Sequence, residues 1–128
     1  MKVAQLALCI AWLALIASNA FAAERFTYDA NAFQDALNAG KHILVHITAP
    51  WCGECKAQKP IVAALADTPE FKNLTIFDID FDTQKDALRQ LHVLKQSTLI
   101  AFKDKAEVGR AVGITRKEAI EALMKKAL

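Results

Sequence analysis

Cysteine, proline and glycine are all scarce in this chain, with three, three and four copies in 128 residues. Cys9 lies inside an apolar N-terminal run, so only Cys52 and Cys55 remain for the folded part. Two cysteines three positions apart cannot staple a small disulfide-rich domain, which excludes that class of exported scaffold. There is no linker, no internal repeat and no low-complexity tract, which leaves one domain. Charge of either sign is not in excess, since 16 basic against 14 acidic side chains give +2. Nothing in that balance calls for nucleic acid or an anionic membrane surface.

Lys2 precedes an apolar run from Val3 to Ala17, and Ala20-Phe21-Ala22 then presents small residues at the two positions a signal peptidase reads. The run is short for a membrane span of about 20 residues. Residues 1–22 therefore read as a cleaved signal peptide, and residues 23–128 as the domain. Removing 22 of 128 residues leaves about 106, enough for a single core. An exported chain whose remaining cysteines form one close pair fits the bacterial periplasm, soluble after cleavage.

That pair is the centre of the sequence: Trp51-Cys52-Gly53-Glu54-Cys55-Lys56. Such a pair can close a disulfide and reopen it, carrying two electrons with no cofactor. One thiol must be open to attack and the second close enough to resolve the mixed disulfide. The β-branched run His42–Thr48 predicts a buried strand, and Lys56–Ala66 has helical spacing. The pair thus sits at a strand-to-helix turn, where unpaired N–H groups and the helix dipole favour thiolate.

The other elements follow from local signals. Asp29 can cap a helix Ala30–Ala39 that Gly40 ends. Pro60 should kink the redox helix, and Thr68-Pro69 suits a short helical turn. Leu74–Phe81 alternates as a strand. Asp82 or Thr83 caps a helix to about Leu91. Thr98–Phe102 and Val108–Val112 are strands joined by a polar turn, and Thr115–Glu118 is a capping box opening the last helix. The order predicts an α/β fold, a mixed central sheet with helices on both faces.

Several motifs in this order are similar to the thioredoxin family: Ala49-Pro50-Trp51-Cys52-Gly53-Glu54-Cys55-Lys56, Pro60, Val93 to Ile100, and Val112-Gly113. The resemblance covers the whole segment after residue 22. It implies a thioredoxin-like fold and a thiol-disulfide oxidoreductase with Cys52 as nucleophile and Cys55 as resolving thiol. By the same resemblance Trp51 shields the pair, Gly53 lies between the thiols, and Gln96, Ser97, Thr98 and Gly113 meet the client chain.

Three departures from the family pattern stand out. Ser97 replaces the usual cis-proline, and because a non-proline cis bond costs about 2.5–4 kcal/mol the Gln96–Ser97 bond is expected to be trans. His46 stands where the family has a buried acid, and Asp78 where it has the partner lysine. A His of ordinary basicity can take or give the Cys55 proton near neutral pH, with Asp78 orienting the ring. Glu54 places a carboxylate beside Cys52, which disfavours thiolate and leans the pair toward reductant, against the pull of Lys56 and Lys59.

Four other readings compete: a disulfide oxidant of the same fold, an isomerase, a metal site, and a redox-inactive binding module. Without a dimerisation domain the chain reads as a monomer, which argues against an isomerase. A zinc or copper site could draw on His42, His46, Cys52 and Cys55. On a strand, however, the two histidines are about 13 Å apart at ~3.3 Å per residue, too far to share one metal. A copper site on Cys52 and Cys55 alone stays open as an alternative; the leading reading needs no cofactor or metal. The expected partners are protein thiols and disulfides, together with a membrane protein that delivers electrons, since a periplasmic reductant needs a supply from across the membrane.

Overall fold

The computed structural model describes residues 22–128. Apart from Ala22, the expected signal peptide lies outside the described residues. Five strands form one sheet: β1 (Glu24–Thr27), β2 (His42–Thr48), β3 (Leu74–Asp80), β4 (Thr98–Lys103) and β5 (Ala106–Val112). Among the described residues four α-helices accompany them, α1 (Ala30–Asn38), α2 (Gly53–Ala66), α3 (Lys85–Gln90) and α4 (Lys117–Lys126), with the expected short helical turn at Pro69–Phe71. The strand order is β1-β3-β2-β4-β5. The first three strands run parallel, and β4 and β5 are antiparallel to their neighbours.

Being central, β2 is buried on both faces, which is why Ile43 to Ile47 reads as an unbroken run rather than an alternation. Its alternate side chains still serve different layers. Ile43, Val45 and Ile47 pack with Phe33 of α1 and Leu88 of α3. Leu44 packs with Val62 and Leu65 of α2 and with Ile120 and Met124 of α4. Helices therefore cover both faces, as the element order predicts, and His46 shares the α2/α4 side with Leu44.

Several boundaries differ from expectation, each for a local reason. The strand β1 was not expected, because all four of its residues are exposed and carry no apolar rhythm. The redox helix starts at Gly53, not Lys56, and runs unbroken past Pro60 to Ala66. Neither Asp82 nor Thr83 caps α3: Asp80 Oδ1 accepts both their N–H groups at 2.8 and 2.9 Å and holds them in a turn, and the Asp82 carboxylate accepts from Trp51 instead. That turn delays the helix to Lys85, and Gln84 at its N-cap makes no side-chain cap bond. The expected capping box of α4 is absent: the N-cap is Arg116, again without a side-chain bond. Starting one residue late moves Glu118 out of the box position. Asp29 does cap α1, accepting from Ala32 N at 2.8 Å. Asp104 and Lys105 both have positive φ, the two-residue hairpin turn that matches strand twist.

Candidate active site

Cys52 is the N-cap of α2, and its sulfur accepts the Cys55 N–H at 3.1 Å. The two cysteines form a disulfide with their Cα atoms 5.3 Å apart. Only 2% of Cys52 and none of Cys55 is exposed. The Cys52 sulfur is thus open to a groove of about 450 Å³ that Cys52 lines with Trp51, Gly53, Glu54, Lys95, Gln96 and Ser97. Trp51 stands 59% exposed beside it. The indole N–H donates to the Asp82 carboxylate at 3.0 and 3.1 Å, and the ring meets Phe81 edge-on. A large apolar face is thereby held rigidly next to the sulfurs.

The opposite wall carries the first departure. The Gln96–Ser97 bond is trans, as expected, and Ser97 adopts φ +58 in the left-handed region. Its buried hydroxyl donates to Glu54 Oε2 at 2.6 Å. Glu54, exposed at the helix start, therefore turns its carboxylate across the groove toward Ser97. A Cβ on Gly113, at φ +74, would lie 3.0 Å from that same oxygen. Glycine is needed there for both backbone and space. Gly113 N also donates to Ser97 O at 3.0 Å. Thr98 is 1% exposed and its hydroxyl donates to Lys95 O at 2.7 Å, so its side chain faces inward, away from the groove.

His46 is completely buried on β2, one residue before Ile47, whose carbonyl oxygen lies 3.9 Å from Cys55 Sγ. Burial holds its basicity below that of an ordinary imidazole, against the opposing influence of Gln58 and Asp78. What holds the ring is Gln58, whose Oε1 lies 3.0 Å from His46 Nε2. Asp78 stands 3.9 Å from Nδ1. The Asp78 carboxylate is gripped by Arg25 of β1 at 2.6 and 2.7 Å, so the ring-orienting task expected of Asp78 falls to Gln58. His42 bonds the Ala127 carbonyl at the far end of β2. Among the described residues no group of three or more His, Cys, Asp or Glu could hold a metal ion.

Two residues escaped the sequence reading. Arg25 was hidden by the missing edge strand. Gln58 carried a usable signal: it shares the helix face of Cys55, Val62 and Leu65, where every other residue is apolar. A polar residue on a buried face needs partners.

A family model described as Thioredoxin matches residues 24–126. A thioredoxin of Mycobacterium tuberculosis is 38% identical over 92 residues, covering 72% of this chain and 78% of that protein. A thioredoxin of Chlamydia trachomatis is 37% identical over 94 residues, covering 73% and 89%. Among solved structures, Trxlp from Edwardsiella tarda EIB202 is 38% identical with a TM-score of 0.76, covering 78% of this chain and 98% of that one.

Proposed function

The chain belongs to the thioredoxin family, and on that premise we propose that it is an exported, monomeric reductase of protein disulfides in a bacterial periplasm. The membership itself makes it a thiol-disulfide oxidoreductase with Cys52 and Cys55 as the redox pair. Cys52 as thiolate attacks one sulfur of a client disulfide, forming a mixed disulfide, and the other client sulfur leaves as thiolate and takes up a proton. The Cys55 thiol then gives up its proton, and its sulfur attacks Cys52 Sγ. The Cys52–Cys55 bond forms and the second client thiolate departs to be protonated. Two electrons pass from the pair to the client.

The observation that carries the direction is Glu54, in the first turn of α2 and fixed across the groove by Ser97. A carboxylate held there opposes the stabilisation of thiolate by the helix N-terminus, and a less stabilised dithiol is the stronger reductant. His46 serves in this reading as the buried base that accepts the Cys55 proton, and a membrane protein returns the electrons. Export is supported by Lys2, the apolar run and Ala20-Phe21-Ala22, and by a first strand that begins at Glu24, just past the expected cut. The deciding experiment equilibrates the pair with glutathione buffers. A potential near −270 mV is expected, about that of a thioredoxin, and one near −120 mV would make the chain an oxidant. Insulin reduction lost in Cys52→Ser checks the activity itself.

A further inference from the structure

We propose that Gln58 is a positioning residue that fixes which nitrogen of His46 is the base. The inference rests on the reading of His46 as the proton acceptor for Cys55. Gln58 is wholly buried on α2, one turn beyond Cys55. Its Nε2 donates to Ser97 O at 3.0 Å and to Ile114 O at 2.9 Å. Both partners are backbone carbonyls, which only accept, so the nitrogen end of the amide must face them. The amide oxygen is then the atom facing His46 Nε2 at 3.0 Å. An amide oxygen accepts and never donates, so Nε2 must carry the hydrogen. The other tautomer would set two lone pairs against each other.

The consequence falls on Nδ1, which is bare, buried and without a hydrogen-bond partner among the described residues. Such an atom is unfavourable as a purely structural feature. It suits a base whose proton arrives only during the reaction. A proton taken there meets Asp78 Oδ1, 3.9 Å away on a side chain about one-third exposed, which opens a way toward solvent. The charged groups acting on the ring are Asp78 from β3, Arg25 from β1 and Lys59 from α2. On its β4 side the register partner is the apolar Leu99. The same amide also ties the base to Ser97, on the groove wall, and to Ile114 beside Gly113. Movement of either loop as a client seats is felt by the base through one side chain.

Nitrogen-15 NMR of imidazole-labelled protein reads the tautomer directly, without reference to activity. Neutral His46 is expected as a single Nε2–H form, in oxidised and reduced protein alike. Gln58→Met is expected to yield a mixture of both forms. Gln58→Glu keeps an acceptor toward Nε2, so it should retain that hydrogen and raise the pH at which His46 protonates. Stopped-flow reaction of reduced protein with Ellman's reagent separates the two thiol steps. Attack by Cys52 releases the first thionitrobenzoate, and attack by Cys55 on the resulting mixed disulfide releases the second. Gln58→Met should shift the pH profile of the second release and leave the first in place. An Nδ1–H ring in the wild type overturns the proposal, as does a folded Gln58→Met with an unchanged tautomer and profile. Because the tautomer is read independently, a chain inactive toward insulin would sink the reductase reading alone.

Discussion

Ser97 combines a strained backbone with a charge-assisted bond, and two substitutions separate them. Its φ of +58 costs an L-residue about 1–2 kcal/mol relative to the right-handed region. Its hydroxyl donates to Glu54 at 2.6 Å. A hydrogen bond to a charged group contributes about 1.5–3 kcal/mol. Glu54 is exposed, however, and water can replace the lost donor, which brings the net loss to about 1 kcal/mol. Ser97→Ala removes the bond and keeps the strain. Ser97→Gly removes both, but adds about 0.5–1 kcal/mol of unfolded-state freedom. The glycine variant should therefore be about 0.5 kcal/mol more stable than the alanine variant, and both less stable than wild type. With a urea slope of about 1–2 kcal/mol per molar, Ser97→Ala should lower the unfolding midpoint by roughly 0.5–1 M. An unchanged midpoint in Ser97→Ala would show the bond to be energetically idle. A Ser97→Gly midpoint below that of Ser97→Ala would show the positive φ to be unstrained.

Gly113→Ala should cost about 1–2 kcal/mol in urea unfolding from its positive φ alone. Its Cβ also displaces the Glu54 carboxylate, so the cost should shrink in a Glu54→Ala background; purely additive effects would refute the contact. Because burial lowers the basicity of His46, folding stability should be full above about pH 6.5 and decline as pH falls below it, where the unfolded chain binds the proton first. His46→Leu should flatten that slope, and an equal slope in both proteins assigns it elsewhere. Arg25→Met should raise the pH at which His46 titrates, since the guanidinium opposes its protonation, and should cost about 0.5–1 kcal/mol for a partly exposed pair. NMR titration and urea unfolding measure the two effects, and an unmoved His46 titration would sever the proposed link through Asp78.

The legible parts of the fold were those with strong local signals. The β-branched run of β2 and the Asp29 cap come from neighbouring residues and appear where the sequence places them, and β3 does so to within one residue, ending at Asp80. The edge strand β1 was not legible, because an exposed strand takes its identity from the β3 backbone it pairs with. The starts of α3 and α4 were misplaced for a related reason. Each had a plausible cap in sequence, and at α3 the Asp80 carboxylate holds those two residues in a turn ahead of the helix. In the site, the CxxC pair and the three unusual neighbours at 46, 54 and 97 were visible as residues. Their partners were not. Asp78 looked like the partner of His46 because it stands where the family has the buried acid's lysine; the two are register neighbours, but Arg25 holds the Asp78 carboxylate and Gln58 holds the ring.

By itself the sequence determined the chemistry and the frame. Two thiols three apart at a strand-to-helix turn, set among motifs similar to the thioredoxin family, point to disulfide exchange, and alternating strand and helix patterns leave few ways to bury their apolar faces. Tertiary structure decided how that chemistry is tuned. Glu54 lies 43 positions from the hydroxyl that turns it across the groove, and Gln58 lies 39 and 56 positions from the two carbonyls that orient it. Hydrogen bonds over such separations depend on which end of an amide faces which loop. No local pattern encodes that, and only the packing of α2 against the sheet and its loops brings the partners together.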